Sequence, residues 1–461
     1  MRQPLPSGFA IGTRHMALRQ KKVDGWYVAK GYPHFDLPLP FKVAARYVTD
    51  PKSVARHAFL PFLGYDQITR KYRTEKVWVT NIDGTVTRTK KRLPCDPKRR
   101  PLRITPHVDG YIYAYYAKIL SAHYEHLIRS ANIGRHIIAY RTGLGTNVNF
   151  AKAAFDVVSS RGDCVAVAFD LSKFFDSIDH GVLKTQWARV LGVSRLPEDH
   201  HNVYRAITRY SVVNMGDCLS RLGINRKGRT AEQRLCNATD FRKIVRGTKP
   251  SLVFPNLDAF GIPQGSPISA LLSNIAMLPF DEAMHGLCDQ HSWNYLRYCD
   301  DILVIGNPGE IDKIKSAVVR EIAKLGGSLA INDSKTECFE FIERDGVRTV
   351  IPQLGRTVAL PLQYLGFTFD GARIRVRSSS LSKYWRKLIR GARGTRIRAK
   401  RRASKGGTAT LIKRRVYEDV THLGGRNFVS YVKRAQGVFG LSKLGRPLRK
   451  HFDRLQRELS K

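Results

Sequence analysis

Apolar residues recur along this chain at two different spacings. In residues 111–130, YIYAYYAKILSAHYEHLIRS, apolar side chains lie three or four positions apart, which predicts a helix. The same spacing predicts three further helices, over residues 148–159, 269–285 and 311–325. Cys164–Phe169 is instead a continuous apolar run, too short for a helix of its own and typical of a buried strand. The run ends at Asp170, so this strand would carry a carboxylate at its tip.

A second pair of carboxylates lies between two short β-prone runs. Tyr295–Ile305 places these runs on either side of Asp300 and Asp301, and the turn formers Gly-Asn-Pro follow. This pattern predicts a hairpin with the two aspartates at its bend. Further strands are expected within residues 328–341 and 363–369.

Three acidic residues, Asp170, Asp300 and Asp301, would therefore emerge at strand ends. Phosphoryl transfer to a 3′-hydroxyl uses two magnesium ions about 3.5 to 4 Å apart. Magnesium prefers carboxylate oxygens, whereas burying several like charges without a metal costs several kcal/mol each. The pattern indicates a two-metal nucleotidyl-transfer site.

The charge of the chain indicates a polyanionic partner. Its 461 residues include 79 Lys and Arg against 38 Asp and Glu, a formal net charge of +41, far beyond what solubility requires. A membrane surface is the rival polyanion, but no apolar run approaches the ~18 residues of a membrane-spanning helix. The N-terminus lacks an apolar signal core, and the seven cysteines contain no Cys-x-x-Cys pair. We therefore expect a cytoplasmic protein with no membrane partner, zinc site or disulfide framework.

Basic residues concentrate in two stretches. No acidic residue lies between Asp370 and Glu418, and residues 90–103 contain Asp96 alone among seven basic residues and three prolines. A mixed-sign charge run is usually a solvated face, whereas these nearly single-sign stretches favour surfaces that follow nucleic-acid phosphates. The nucleic-acid-binding side chains expected in the second stretch are Arg386, Lys387, Arg390, Arg393, Arg396 and Arg398.

Five segments resemble the palm motifs of reverse transcriptases, in the order of that family. The segments are FDLSKFFDSIDH at 169–180 (motif A), GIPQGSPIS at 261–269 (motif B), YCDD at 298–301 (motif C), NDSKT at 332–336 (motif D) and YLGF at 364–367 (motif E). The ordered set spans about residues 130–370. By this resemblance the chain is similar to bacterial reverse transcriptases.

The resemblance implies an α+β fold, the right-hand polymerase architecture of fingers, palm and helical thumb. Residues 1–105 would form a basic N-terminal extension, and 106–370 the fingers and palm, with an insertion at about 195–255. Residues 371–461 would form the basic helical thumb.

The resemblance also assigns the catalytic residues. Asp170, Asp300 and Asp301 would bind two Mg²⁺ ions, with Mn²⁺ as a substitute, and the carbonyl of Leu171 would be a further ligand. Lys335 would lie near the leaving phosphate as a proton donor. The alternative for Lys335 is an exposed loop lysine.

Further positions match the nucleotide and primer sites of the family. Phe175 corresponds to the aromatic steric gate that excludes a ribose 2′-hydroxyl, and its alternative is a core phenylalanine beside Phe174. Asp176 and Asp179 are expected to be caps or structural acceptors rather than metal ligands. The remaining matches are Gln264 and Gly265 in the nucleotide pocket, Arg141 as a triphosphate clamp, and Tyr364, Leu365 and Gly366 in the primer grip.

Within the family, the wording of motifs A and B is closer to group II intron and retron enzymes than to retroviral ones. The YCDD core, the chain length and the expected absence of a fused RNase H or endonuclease domain most resemble the unknown-group, defence-associated branch, and its class 2 in particular. That branch implies a structured non-coding RNA encoded beside the gene and copied from dNTPs into cDNA during antiviral defence against phage.

Four alternatives stay open at this point. They are an intron-like or retron-like enzyme of a mobile element, a template-independent or protein-primed DNA synthesiser, an RNA-directed RNA polymerase, and a non-catalytic RNA-binding protein. The sequence does not indicate the oligomeric state.

Overall fold

The computed structural model of the chain describes residues 25–80, 85–225, 233–352 and 359–461. The first 24 residues of the expected N-terminal extension lie outside these ranges. The helices are α1 Phe41–Val48, α2 Pro51–Ala55, α3 His107–Ser130, α4 Asn147–Ser160, α5 His180–Leu191, α6 Glu198–Thr208, α7 Met215–Arg221, α8 Ala238–Asp240, α9 Ser269–Ala276, α10 Leu278–His291, α11 Ile311–Ala323, α12 Ser378–Ala403, α13 Arg414–Val420, α14 Phe428–Phe439 and α15 His451–Ser460. Short 3-10 helices occupy Phe174–Ser177, Asp333–Lys335 and Ser442–Leu448, and a π-helix occupies Phe241–Arg246.

The strands fall into three sheets within the described ranges. They are β1 Phe62–Thr80, β2 Val86–Ile104, β3 Cys164–Asp170, β4 Ser211–Asn214, β5 Val253–Pro255, β6 Asn294–Tyr298, β7 Asp301–Gly306, β8 Glu337–Arg344, β9 Val347–Ile351, β10 Leu362–Tyr364, β11 Phe367–Phe369 and β12 Ile374–Val376. Their orders are β2-β1-β4-β5, β6-β7-β3-β8-β9 and β10-β11-β12.

The chain divides into two compact units, each assembled from separate segments. The first unit contains Met1–Asn132, Ser172–Phe280 and Ile322–Ala330. The second contains Ile133–Leu171, Asp281–Glu321 and Ile331–Lys461.

The sheet of the first unit is built on a long hairpin. β1 and β2 are 19 residues each and pair antiparallel, and β4 adds in parallel to Phe62–Gly64 at the start of β1. β2 is an edge strand, which explains how it accommodates Pro94, Pro97 and Pro101, since an edge residue can lack an amide donor. Beside this sheet, buried Phe35, Leu63, Val213, Met215, Cys218, Leu235, Val245 and Leu252 form a core.

The sheet of the second unit places β3 at its centre. β3 pairs antiparallel with β7 on one side and with β8 on the other. Its apolar residues from Cys164 to Val167 are fully buried, as the continuous apolar run predicts for a central strand. One hydrophobic core joins this sheet to α4, to the β10–β12 sheet and to α12–α15.

Most of the predicted elements are confirmed, but two of them differ from the prediction. The helix expected over 269–285 is two helices, α9 and α10, separated at Met277. The strand expected over 363–369 is the hairpin β10–β11, because Leu365 and Gly366 both adopt positive φ and turn the chain. β9 was not predicted, and it pairs with β8 along its whole length.

None of the described helices is long and apolar enough to cross a membrane.

Candidate active site

The pairing of β3 with β7 brings the predicted carboxylates together in the second unit. Asp170, at the end of β3, lies directly opposite Asp301, at the start of β7. The next amide along, that of Leu171, donates a hydrogen bond to the carbonyl oxygen of Asp300 at 3.3 Å. The three aspartates therefore meet where two neighbouring strands end, as the sequence pattern predicts.

The bend that carries Asp300 is a two-residue hairpin loop. Tyr298 pairs with Asp301, and Cys299 occupies the first loop position with φ of 61°. A left-handed conformation costs a residue other than glycine about 1–2 kcal/mol, so surrounding contacts must hold this bend. One such contact is a hydrogen bond between the hydroxyl of Tyr140 and the buried thiol of Cys299.

Tyr140 and Arg141 reach this bend because the chain ahead of them lies along β6. The amide of Arg297 donates to the carbonyl of His136 at 2.8 Å, and the amide of Ile138 donates to the carbonyl of Arg297 at 3.1 Å. Arg141, the predicted triphosphate clamp, donates from Nη1 to the carbonyl of Ile137 at 2.7 Å. Its guanidinium is thus partly oriented by main-chain carbonyls next to the YCDD hairpin.

A buried ion pair supports the β6–β7 hairpin from the interior of the second unit. Arg297 and Asp281 have fully buried side chains, and the hydroxyl of Tyr295 donates to Asp281 at 2.6 Å. Nη1 of Arg297 also lies 3.4 Å from the carbonyl oxygen of Cys299. Sequence reasoning missed this ion pair. The available signal was that Tyr295 and Arg297, two positions apart, both lie on the buried face of β6, where a charged side chain requires a partner.

The electrostatics of the site favour a proton or a cation at Asp301. Burial, the largest cause, and the negative charges of Asp300 and Asp170 together raise the pKa of Asp301 to about 6. The positive charges of Arg377 and Lys335 act in the opposite direction and are the smaller contributions. The cluster thus has an excess of negative charge that the protein's own cations do not balance.

Lys335 lies against the first carboxylate. Its ammonium nitrogen Nζ forms an ion pair with Oδ2 of Asp170, and half of its side chain is exposed. The amide of Asn332 donates to the main-chain carbonyl of Asp170 at 2.8 Å, which fixes the 3-10 turn carrying Lys335 beside β3. Lys335 is therefore an exposed loop lysine and also a neighbour of the carboxylate cluster.

The predicted primer-grip residues form the turn between β10 and β11. Leu365 and Gly366 adopt φ of 44° and 95°. Nδ2 of Asn147 on α4 lies 3.0 Å from the carbonyl oxygen of Leu365 and 3.0 Å from the hydroxyl of Tyr431 on α14. The pKa of buried Tyr364 is raised by burial and by the nearby charge of Asp301, so this turn lies close to the carboxylates.

Phe175, Gln264 and Gly265, expected at the nucleotide pocket, lie in the first unit, where the segment that contains Gln264 and Gly265 also contacts Phe175 through Ile262. The amide of Ile262 donates to the carbonyl of Phe175 at 2.8 Å. The ring of Phe174 is buried while that of Phe175 is half-buried, so Phe175 lies only partly in the core beside Phe174. Gly265 has φ of 118°, and a Cβ at this position would lie 2.6 Å from the carbonyl oxygen of Arg103.

Arg103 is a neighbour of this pocket that sequence reasoning missed. Its amide donates to the carbonyl of Gln264 at 3.0 Å. Its positive charge also partly offsets the effect of burial, which raises the pKa of Asp176. The available signal was the position of Arg103 at the end of the basic run 90–103. Asp179 caps α5, as expected, by accepting from the amide of Val182 at 2.8 Å.

A comparison with known families decides what this arrangement is. Residues 247–369 match the sequence profile of the family described as reverse transcriptase (RNA-dependent DNA polymerase). The chain contains a reverse transcriptase domain. A domain of this family acts as an RNA-directed DNA polymerase, which is a kind of nucleotidyltransferase. Its fold is the α+β right-hand polymerase fold. The match contains Asp300 and Asp301, and the β3–β7 pairing adds Asp170, which lies outside the matched residues.

Solved structures with some similarity to the chain include telomerases of Candida. Telomerase from Candida tropicalis truncated from its C-terminal domain aligns at 14% identity and TM-score 0.41, covering 61% of this chain and 53% of that one. Telomerase from Candida albicans in complex with a TWJ fragment of telomeric RNA aligns at 10% identity and TM-score 0.39, covering 91% and 68%. The chain thus spans about half the length of the first of these structures.

The reverse transcriptase family generally uses divalent metal ions. Among the described residues, no three His, Cys, Asp or Glu side chains form a ready-made metal cluster. The three aspartates nevertheless offer only hard oxygen donors, and burial together with the negative charges of Asp300 and Asp170 raises the pKa of Asp301. This donor set fits a hard divalent cation such as Mg²⁺ or Mn²⁺.

The basic residues expected to contact nucleic acid lie on α12, which follows the reverse transcriptase domain. The buried face of α12 presents Tyr384, Leu388, Ala392, Thr395 and Ala399 to the core. Five of the six predicted side chains are exposed, namely Arg386, Lys387, Arg390, Arg393 and Arg398. Arg396 is half-buried and close enough to Glu458 on α15 to help lower the pKa of that carboxyl.

Proposed function

We propose that the protein copies an RNA template into cDNA from dNTPs, through the site formed by Asp170, Asp300 and Asp301. The observation that carries the proposal is the register of β3 and β7, which sets Asp170 opposite Asp301 in a chain that contains a reverse transcriptase domain. The three carboxylates outnumber the two cationic side chains near them, Arg377 and Lys335. Such an excess of carboxylates suits a phosphoryl-transfer centre better than a structural site.

Each residue of the proposed site has a distinct task. Asp170, Asp300, Asp301 and the carbonyl of Leu171 would hold two Mg²⁺ ions, with Mn²⁺ as a substitute. When bound, such ions activate the primer 3′-hydroxyl and neutralise charge on the leaving pyrophosphate. Lys335, paired with Asp170, would hold a proton close to the leaving phosphate.

The remaining residues would position the substrates. Arg141 would clamp the triphosphate, because a planar guanidinium pairs well with phosphate oxygens. Phe175 would exclude the ribose 2′-hydroxyl, and Gln264 and Gly265 would line the nucleotide pocket. The turn at Tyr364, Leu365 and Gly366 would hold the primer end, while the exposed basic residues of α12 would grip the template–product duplex through phosphates.

The decisive experiment is primer extension on an RNA template with the Asp300→Ala, Asp301→Ala double variant. We expect synthesis to be abolished while RNA binding survives, because the basic surfaces are untouched. Asp312→Ala is the matched control, since it removes one exposed carboxylate from α11 in the same unit. Undiminished synthesis by the double variant would refute the proposed site.

Our proposal for the template and the biological role rests on the amino-acid sequences of the motifs rather than on the fold. We propose the unknown-group, class 2 defence-associated branch, in which a structured non-coding RNA is copied during antiviral defence. The seven free cysteines fit a reducing compartment such as the cytoplasm.

Purification of the protein from its own locus with flanking DNA, followed by sequencing of the bound RNA and cDNA, tests this assignment. One dominant flanking RNA with matching cDNA, lost in the double variant, would support it. Heterogeneous RNA would favour a mobile-element enzyme, cDNA attached to tyrosine or serine would reveal protein priming, and incorporation of NTPs would indicate RNA synthesis.

A further inference from the structure

The hairpin of β1 and β2 continues well past the rest of its sheet. β4 pairs with β1 only at Phe62–Gly64, whereas the β1–β2 register runs on to the pair Thr80 and Val86. Most of the hairpin is therefore a two-stranded ribbon with both faces available. A two-stranded ribbon of this kind has no hydrophobic core of its own.

One face of the outer ribbon combines aromatic rings with arginines. Trp78 lies directly opposite Arg88, and the guanidinium carbon of Arg88 is 5.5 Å from the centre of the Trp78 ring. The guanidinium carbon of Arg92 lies 4.0 Å from the centre of the Tyr72 ring. Both rings are open to solvent, Trp78 at 68% and Tyr72 at 45% exposure.

The two faces of the outer ribbon differ in charge. By the register, the even-numbered positions in 72–78 and 88–94 share one face, and none of them is acidic. The opposite face contains the cross-strand pair of Glu75 and Lys91. Positive charge is thus more concentrated on the face that carries the exposed rings, where no acidic residue offsets it.

We propose that this aromatic face binds an unpaired segment of RNA. Bases would stack on Trp78 and Tyr72, and phosphates would pair with Arg88 and Arg92, the combination by which proteins bind single strands. The inference rests on the proposed function, because the bound segment would belong to the template RNA. The charge decides between partners, since a chain of net charge +41 attracts phosphates and an exposed indole offers a surface for stacking.

The two rings set the length of the bound segment. They are six residues apart on β1, which corresponds to roughly 20 Å along a strand. A single nucleotide cannot bridge that distance, so the ligand must be a strand of several nucleotides. The face would therefore recognise an RNA segment rather than free nucleotides.

The test compares binding of a fluorescein-labelled oligouridylate with that of an abasic oligomer of the same length, using the full chain. The wild type should prefer the oligouridylate, and the Tyr72→Ala, Trp78→Ala double variant should lose about tenfold or more of this affinity and the preference with it. A variant with Trp78→Phe in place of Trp78→Ala should recover most of the lost affinity, because a phenyl ring still stacks on a base. This recovery distinguishes a loss of stacking from misfolding. Lys91→Gln, on the opposite face, is the control and should keep the preference.

The salt dependence gives a second readout. Two phosphate contacts to single-stranded RNA contribute about 1.4 to the slope of log affinity against log salt, so Arg88→Gln with Arg92→Gln should reduce the slope by about that amount. An unchanged preference in the ring variant, an equal loss in Lys91→Gln, or a preserved salt slope would overturn the proposal.

Failure of the ribbon proposal and failure of the proposed function give different results. If the wild type extends a pre-annealed primer but the ring variant binds RNA normally, only the ribbon proposal fails. If the wild type extends no primer while RNA binding depends on Trp78 and Tyr72, only the proposed function fails.

Discussion

Arg297 and Asp281 form a two-armed ion pair in the interior of the second unit. Nε of Arg297 lies 2.8 Å from Oδ1 of Asp281, and Nη2 lies 2.5 Å from Oδ2. Both side chains are fully buried. Because Arg297 also contacts the carbonyl oxygen of Cys299, the pair links the interior to the bend that carries Asp300.

Replacement of Asp281 by Ala should destabilise the protein by about 3–5 kcal/mol, because it leaves a buried guanidinium without its counter-charge. Urea unfolding followed by circular dichroism measures the loss. Asp156→Ala is the control, since Asp156 pairs with Lys152 on the exposed face of α4 and its removal should cost at most about 1 kcal/mol. Equal losses in the two variants would show that the interior pair does not anchor the hairpin.

The raised pKa of Asp301 predicts a pH-dependent stability in the absence of divalent metal. The folded protein holds this proton with a pKa of about 6 against an ordinary value of 3.8, so it binds more protons than the unfolded chain in that interval. The contribution of Asp301 to stability is therefore greatest below pH 4 and is lost as the pH rises to about 6. The charged groups that set this pKa are Asp300, Asp170, Arg377 and Lys335.

Unfolding in a chelating buffer between pH 4 and 7 measures the effect. The wild type should lose stability relative to Asp301→Asn as the pH rises through this range, and the difference should be constant above it. A difference that does not vary with pH would contradict the assigned pKa.

Substitution of Gly265 by Ala should disrupt the pocket-lining segment of the first unit. The positive φ costs an alanine about 1–2 kcal/mol, and its Cβ would in addition press on the carbonyl oxygen of Arg103. Gly286→Ala on α10 makes the same chemical change in open space and should stabilise the helix by roughly 0.5–1 kcal/mol. Thermal unfolding of both variants checks the opposite signs.

Replacement of Phe175 by Val should relax discrimination against ribonucleotides by about tenfold or more, if its half-buried ring is the steric gate. Competition between dNTPs and NTPs in primer extension measures this ratio. Phe174→Leu is the control, because Phe174 is buried and should affect stability rather than sugar choice. Unchanged rejection of NTPs by Phe175→Val would place the gate at another residue.

The sequence was most informative where a local pattern has a single structural solution. The apolar run 164–169 had to be a buried strand with Asp170 at its tip, and Asp170 does lie at the end of that strand, opposite Asp301. The hairpin at Cys299–Asp300 followed from two β-prone runs around a short bend.

The sequence was least informative where distant segments determine the local structure. Residues 94–101 contain three prolines, which central strands exclude, yet that segment is a strand because it lies at a sheet edge. The pairing of Arg297 with Asp281 depends on the packing of α10 against β6, and no periodic pattern predicts it. The contacts of Arg103 with Gln264 and Gly265 likewise arise from tertiary structure alone.

The central position of β3 has a consequence for how the protein is made. Both neighbours of β3 come from far downstream, so a ribosome releases this apolar strand long before β7 and β8 exist to cover its edges. At 5 to 20 residues per second, the roughly 130 residues that separate Asp170 from Asp301 take about 7 to 26 s to synthesise. During that interval the nascent chain exposes an aggregation-prone apolar strand with both edges unpaired, and it has no assembled catalytic centre. A polymerase organised in this way cannot act on RNA until most of its own message has been translated.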